Sequence, residues 1–285
     1  MMSSYSRRYC NGITSARLNL LEIASENGDI ETLKRLIDNK VDVNSNNSCC
    51  IRNASKGGHL EVVKYLVKNG ANIHAFNDRS VERACEYGHL DVVKYLYENG
   101  ADIHVFDDSC VKWASRHGHI EVVKYLVENK ADIHAEENHC VRRASSNGHL
   151  DVVKYLVEHK ADINARDNQC IVIASSNGHL DIVKYLVNNG DNIHSRQGHS
   201  VFFASKHGHL EVVKYLVEHK ANISMISDEY KKIIFGTKIL NFWRNQRNRK
   251  RLINIRNTLT PIYYSPNMKG GYFARKELEE YINTL

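Results

Sequence analysis

Proline is almost absent from this sequence. The chain of 285 residues has two, Pro261 and Pro266, and both lie in its last 25 residues. That excludes a Pro-rich linker, a collagen-like segment and a mucin-like stalk. It also means that periodic structure runs through most of the chain without a proline stop. No segment approaches the ~20 apolar residues needed to cross a bilayer. The opening stretch, MMSSYSRRYCNGITS, carries two arginines but no apolar run behind them, so it is not expected to act as a secretory signal. With 42% hydrophobic residues the chain is too apolar to be intrinsically disordered. Seven cysteines without an export signal point to free thiols in a reducing, intracellular setting.

Charge of one sign is also missing from most of the chain. The formal charge is +6, yet residues 224–285 hold 12 basic and 5 acidic residues, a net of +7. The remainder is close to neutral, with the signs interspersed.

What the chain has is repetition. Gly28, Gly58, Gly88, Gly118, Gly148, Gly178 and Gly208 fall 30 residues apart. From the second onward the next residue is always histidine: His59, His89, His119, His149, His179 and His209. The string that follows barely varies, reading HLEVVKYLVKNGANIH from His59 and HIEVVKYLVENKADIH from His119. Self-similarity at such a period is the mark of a stacked repeat architecture.

Each copy reads as two short helices and a connecting finger. Leu60, Val63, Leu66 and Val67 follow the spacing of one apolar helix face, and Val62 widens it, as a helix packed between two neighbours requires. The second helix ends at Gly70, Gly100 or Gly190, where a left-handed residue would close it. Lys40, Lys130, Lys160 and Lys220 hold the same place in the other copies, either at the cost of a positive φ or with a different turn. The first helix carries Ala54, Ala84, Ala114, Ala144, Ala174 and Ala204, small enough for close backbone approach. Ser48, Asp78, Asp108, Asn138 and Asn168 stand at its start as candidate N-caps, with Gly198 in the last copy.

Through these residues the chain resembles the ankyrin-repeat family over residues 18–227. The motif G-H-L-E-V-V-K-Y-L-V-x-x-G-A-x-I is highly specific to that family. The 30-residue period also resembles that of ankyrin proteins from giant viruses that infect amoebae. The resemblance implies an all-α, ankyrin-type solenoid of stacked helix-turn-helix repeats with a helical C-terminal extension. Two features depart from the family pattern. The usual period is 33, so three residues are missing from each connection, and the family's T-P-L-H opening is replaced by stretches such as S-V-E-R-A and C-V-K-W-A. The loss of that proline accounts for the proline-free repeats, and it leaves open whether the fingers are β-hairpins or tight loops.

The domain reading is an N-terminal arm over 1–17, seven repeats over 18–227, a degenerate capping repeat over 228–245, and a basic C-terminal extension over 246–285. A cap is needed because an open stack exposes the apolar side of its last helix.

Sixteen histidines, with His117-x-His119 and His207-x-His209 among them, raise the question of a metal site. Their recurrence in nearly every copy favours a structural role, hydrogen bonding backbone between neighbouring loops, and no metal or cofactor is expected. Cys50, Cys110, Cys140 and Cys170 occupy one repeat position and read as small buried or half-buried apolar residues. No nucleophile elbow, phosphate loop or metalloprotease motif occurs, so the chain is read as non-enzymatic.

Function therefore rests on the repeat positions that vary. On an ankyrin-like stack the finger tips and the exposed side of the first helices line one concave face. Phe76 and Phe106 stand at equivalent tips. The helix series runs Asn53, Arg83, Trp113, Arg143, Ile173, Phe203. An aromatic–arginine strip has the composition of a protein-binding hot spot. The alternative is that these side chains pack on one another, or that Ile173 and Phe203 belong to the core. Phe76, Arg83, Phe106, Trp113 and Arg143 are the candidate contacts for a folded protein partner. The basic run with Arg244, Arg247, Arg249, Lys250 and Arg251 reads as a solvated helix face, a nucleic-acid or nuclear-targeting patch, or a docking helix. The expected molecule is a monomeric, cytoplasmic interaction scaffold, in the host cytoplasm if viral. The competing reading is a nucleic-acid-binding or nuclear-targeted adaptor acting through the tail.

Overall fold

The computed structural model describes residues 4–190, 193 and 198–227. The capping repeat read over 228–245 and the basic extension lie outside the described residues. The chain divides into two units, Met1–Asn222 and Ile223–Leu285. Of the second unit, 223–227 are described, a turn in which the Ile226 N–H donates to the Ile223 carbonyl at 3.2 Å.

The first unit is all-α, with fourteen helices among the described residues. Half of them open the repeats: α1 (Ser4–Asn27), α3 (Ser45–Gly57), α5 (Ala75–Tyr87), α7 (Val105–His117), α9 (Ala135–Asn147), α11 (Ala165–Ser176) and α13 (His199–Lys206). The others close them: α2 (Ile30–Asp38), α4 (Leu60–Lys68), α6 (Leu90–Glu98), α8 (Ile120–Glu128), α10 (Leu150–Glu158), α12 (Leu180–Asn188) and α14 (Leu210–Glu218). Each odd helix packs on the next odd helix and each even helix on the next even one, which makes two parallel layers. α1 does not begin near Leu18; it starts at Ser4 and runs through the segment read as an arm.

Residue size explains the odd layer. Ala54, Ala84, Ala114, Ala144, Ala174 and Ala204 are fully buried, flanked by buried Ser55, Ser115, Ser145 and Ser175 and by Cys50, Cys110, Cys140 and Cys170. Side chains this small let helix axes approach closely. In the even layer the buried set is Val62, Val63 and Leu66 and their equivalents in the later copies. Leu60 and Val67, expected on the apolar face, are only half-buried. Val62, Val63 and Leu66 share one side of the helix, so the buried side is turned from the expected stripe toward Val62.

The even helices close in Schellman geometry. In α4 the Gly70 N–H donates to Val67 at 3.0 Å and the Ala71 N–H to Leu66 at 3.0 Å. Lys130 and Ala131 repeat the pair on Val127 and Leu126 at 2.9 and 3.0 Å. The lysines do adopt the left-handed conformation, with φ of 62° at Lys40, 71° at Lys130, 68° at Lys160 and 65° at Lys220.

The fingers are tight turns. No strand occurs among the described residues. Three consecutive residues turn left-handed before the right-handed helix begins: Phe76, Asn77 and Asp78 have φ of 56°, 54° and 57°. The same occurs at Phe106–Asp108, Glu136–Asn138 and Arg166–Asn168. Such a turn is costly for residues with a Cβ, roughly 1–2 kcal/mol each, and side chains hold it. Lys112 Nζ donates to the Phe106 carbonyl at 3.1 Å. Arg142 donates from Nε to Glu137 O at 3.1 Å and from its terminal amino group to Glu136 O at 3.0 Å.

The candidate N-caps are redirected by this geometry. Asp108 accepts from the Asp132 N–H of the next finger at 3.1 Å, and Asn138 accepts from the Asp162 N–H at 2.9 Å. They tie neighbouring fingers together, because the left-handed turn carries the side chain away from its own helix.

The repeated histidine closes the other end of each copy. His59 Nε2 donates to Glu26 O at 2.9 Å, His89 to Lys56 O at 2.9 Å and His119 to Glu86 O at 2.9 Å. His149 and His179 do the same to Arg116 O and Ser146 O at 3.1 and 3.0 Å. This is the loop-to-loop role expected from recurrence. Burial pushes His119 below the ordinary histidine value, with His117, His89 and His149 adding repulsion. Its neutral form is thus favoured by folding. That contribution is complete above the unfolded value near 6.5, and is lost as pH falls through the lower folded value, because the unfolded chain takes up the proton first. Urea unfolding at pH 7 and pH 5 is expected to show lower stability in acid. His119→Asn is expected to shrink that difference; an unchanged difference would remove His119 as a source of it.

Candidate functional site

The candidate contacts occupy two levels of the odd-helix face. Phe76 and Phe106 stand on the left-handed turns, 52% and 55% exposed. Phe76 lines an open recess with Asn44, Ser48, Asn72 and Ala75. The Arg52 guanidinium lies over its ring, 4.6 Å from the centroid. The turn explains the exposure of both rings, since a left-handed residue sends its side chain off the path that would return it to the helix.

Arg83, Trp113 and Arg143 lie one level in, at equivalent positions of α5, α7 and α9. Arg83 is partly buried and ion-paired with Glu86 on its own helix. Trp113 is half-buried and oriented by its N–H, which donates to Glu82 Oε1 at 3.0 Å. Glu82 is 3% exposed and also pairs with Arg79, so both its oxygens are engaged and the buried charge is matched. The His117 ring stacks on Trp113 with centroids 5.8 Å apart. The Arg116 guanidinium is 5.1 Å from the Trp113 ring.

Arg143 is exposed and held by a relay. Its Nε donates to His139 Nε2 at 3.0 Å. His139 Nδ1 stands 3.1 Å from Glu136 Oε2, and Glu136 Oε1 takes Lys112 Nζ at 2.6 Å. Accepting at Nε2 requires a neutral ring. Burial, and then the charge of Arg143, lower the His139 value in agreement.

Ile173 and Phe203 are half-exposed, so neither is a core residue. Phe203 meets the Phe202 ring edge-on at 5.2 Å. Arg244, Arg247, Arg249, Lys250 and Arg251 lie outside the described residues.

The other chemistry considered finds different employment. His117 and His119 stack at 6.1 Å, but His119 Nε2 is spent on Glu86 O and His117 Nδ1 donates to Trp113 O at 3.1 Å. Among the described residues no group of three or more His, Cys, Asp or Glu is placed to hold a metal ion. Cys49, Cys50, Cys85, Cys110, Cys140 and Cys170 are free and buried. Burial pushes the Cys50 thiol up to about 11 and that of Cys140 to about 12, which deprives them of the thiolate a nucleophile needs. Among the described residues no helix is long and apolar enough to cross a membrane. Two features of the site escaped the sequence reading: the buried Glu82 beneath Trp113, and the His139 relay behind Arg143. Glu82 and Lys112 share one repeat position with Glu22, Arg52 and Arg142, and a charge at a position that Val172 and Phe202 fill in later copies was the available signal.

Residues 21–107, 107–167 and 144–227 match the family model described as ankyrin repeats (3 copies). Among solved structures, the chain is similar to the human ASB11 ankyrin repeat domain at 24% identity and a TM-score of 0.60. That likeness covers 69% of this chain and 96% of the other, and it shows the fold. No curated protein matches the sequence. With the family model spanning seven consecutive copies of the 30-residue repeat, the chain belongs to the ankyrin-repeat family.

Proposed function

We propose that the chain is a non-enzymatic scaffold that presents the odd-helix face, the concave side of an ankyrin-type stack, to a folded protein partner. Ankyrin repeats generally mediate protein–protein interaction. The observation that carries the reading is the state of the candidate contacts. Phe106 is 55% exposed on a turn held by Lys112, while Trp113 is fixed through its N–H by buried Glu82. Exposed aromatic area on side chains already ordered lowers the entropic cost of association. Phe76, Arg83, Phe106, Trp113 and Arg143 are the contacts in this reading. Because the 30-residue period resembles that of ankyrin proteins of amoeba-infecting giant viruses, the partner in this reading is a host protein.

The double variant Trp113→Ala, Arg143→Ala is expected to abolish capture of a partner from a host lysate and to leave the helical circular dichroism unchanged. Loss of two hot-spot side chains typically removes about 2 kcal/mol or more each. Undiminished capture would sink the assignment of these residues.

A further inference from the structure

The odd-helix face pairs most of its charges internally. Lys56 meets Glu26 at 3.2 Å and Lys112 meets Glu136 at 2.6 Å. Arg79 pairs with Glu82, and Arg83 with Glu86. Arg116 and Arg143 break the pattern. Both are exposed, they sit on the adjacent helices α7 and α9, and among the described residues neither lies within ion-pair distance of a carboxylate. Arg142 beside them is 8% exposed and spends its guanidinium on the Glu136 and Glu137 carbonyls and on Gln169 Oε1 at 3.0 Å. Arg116, Arg142 and Arg143 therefore put three positive charges on two adjacent helices, with the Arg116 guanidinium over Trp113.

Arg143 is also ordered in advance. Its Nε is engaged by His139, which is itself fixed by Glu136 and, through it, by Lys112. Among the described residues the two terminal amino groups of the guanidinium make no hydrogen bond. They are the pair that grips a carboxylate through two parallel hydrogen bonds. Arg116 adds a second cation over the Trp113 ring.

We propose that Arg143 and Arg116, beside Trp113, recognise a carboxylate side chain in an acidic segment of the protein partner, with an apolar neighbour of that side chain resting on the indole. The inference rests on the reading of this face as the partner surface and adds the partner's chemistry to it. Charge complementarity selects the occupant. A basic segment would meet three like charges with no unpaired carboxylate beside them, whereas an acidic one supplies what the two exposed guanidiniums lack.

The test is a selection of random displayed peptides on the full-length chain at physiological salt. The enriched peptides are then synthesised and their affinities measured for the parent and for the full-length variants Arg116→Ala/Arg143→Ala, Arg143→Glu and Trp113→Ala. The basic tail is common to all four proteins, so binding that depends on it alone does not change between them. Enrichment of Asp or Glu next to an apolar residue is expected, with affinity down by roughly tenfold or more on the Arg116→Ala/Arg143→Ala variant. Arg143→Glu is expected to shift selection toward Lys and Arg. Peptides that are neutral or basic, yet lose binding on Trp113→Ala, would overturn the carboxylate inference and leave the surface reading standing. Stronger binding of a phosphoserine peptide than of its glutamate counterpart would overturn it in favour of a phosphorylated partner. Absence of enrichment, or peptides that bind all four proteins alike, would overturn both readings.

Discussion

Gly118→Ala is expected to destabilise the repeat unit by about 2–3 kcal/mol, whereas Gly100→Ala, 18 residues earlier in the chain, is expected to cost only about 0.5–1 kcal/mol. Both glycines are left-handed, with φ of 79° and 98°, so an alanine at either is strained. Only one of them is also crowded. A Cβ on Gly118 would lie 2.7 Å from both Cε1 and Cγ of His149, the ring of the following repeat, closer than real Cβ atoms come. A Cβ on Gly100 would meet nothing within 4 Å. To admit the methyl, His149 must leave its place and give up its bond to Arg116 O. Equilibrium urea unfolding of the two variants measures the difference. A broken interface between neighbours in a solenoid also weakens cooperativity, so the Gly118→Ala transition is expected to broaden or split. Equal costs at the two positions would show that the histidine ring gives way freely and that backbone conformation alone selects glycine at the repeat position.

The second expected result is a gain. Replacing Lys40, Lys130, Lys160 and Lys220 together by glycine should stabilise the chain by about 2–4 kcal/mol. These residues close their helices at positive φ, in the place that Gly70, Gly100 and Gly190 fill in the other copies. The relief of strain, roughly 1–2 kcal/mol per lysine, exceeds the roughly 0.4–1 kcal/mol by which glycine stabilises the unfolded chain. The four sites lie in different repeats and make no shared contact, which favours additivity. The midpoint of urea unfolding should rise with the slope unchanged. A quadruple variant no more stable than the parent would mean that the left-handed lysines carry no strain.

Much of the fold was legible because a solenoid writes its architecture into its period. The Gly-His pair every 30 residues announced both the stacking and the loop-to-loop hydrogen bond of His59, His89, His119, His149 and His179. The left-handed helix ends followed from Gly70 and Gly100 in the aligned slot, and the buried free cysteines from their place beside the repeated alanine. Leu60 and Val67 were misjudged because spacing alone does not say which part of a widened apolar face the neighbours cover, and they cover Val62, Val63 and Leu66.

The candidate site was legible by position and not by state. Variation at an otherwise repeated slot picked out Arg83, Trp113 and Arg143. Nothing in one sequence shows that Arg83 is tied to Glu86, that Trp113 stands on Glu82, or that His139 holds Arg143. The Trp113–Glu82 bond crosses between adjacent odd helices, and the other two join side chains three and four residues apart on one helix, where rotamer choice decides them.

By itself the sequence determined the number of copies, the helix pairs within each and the residue types that close them, because these rest on local conformation and on a pattern repeated seven times. Only the tertiary structure decided how a connection three residues short is made. A left-handed turn of non-glycine residues is disfavoured wherever local preference acts alone. It persists here because Lys112 and Arg142 bind its carbonyls and because Asp108 and Asn138 reach to the next finger. The same turn sets Phe76 and Phe106 out in solvent, so the surface proposed to meet a partner follows from contacts between repeats.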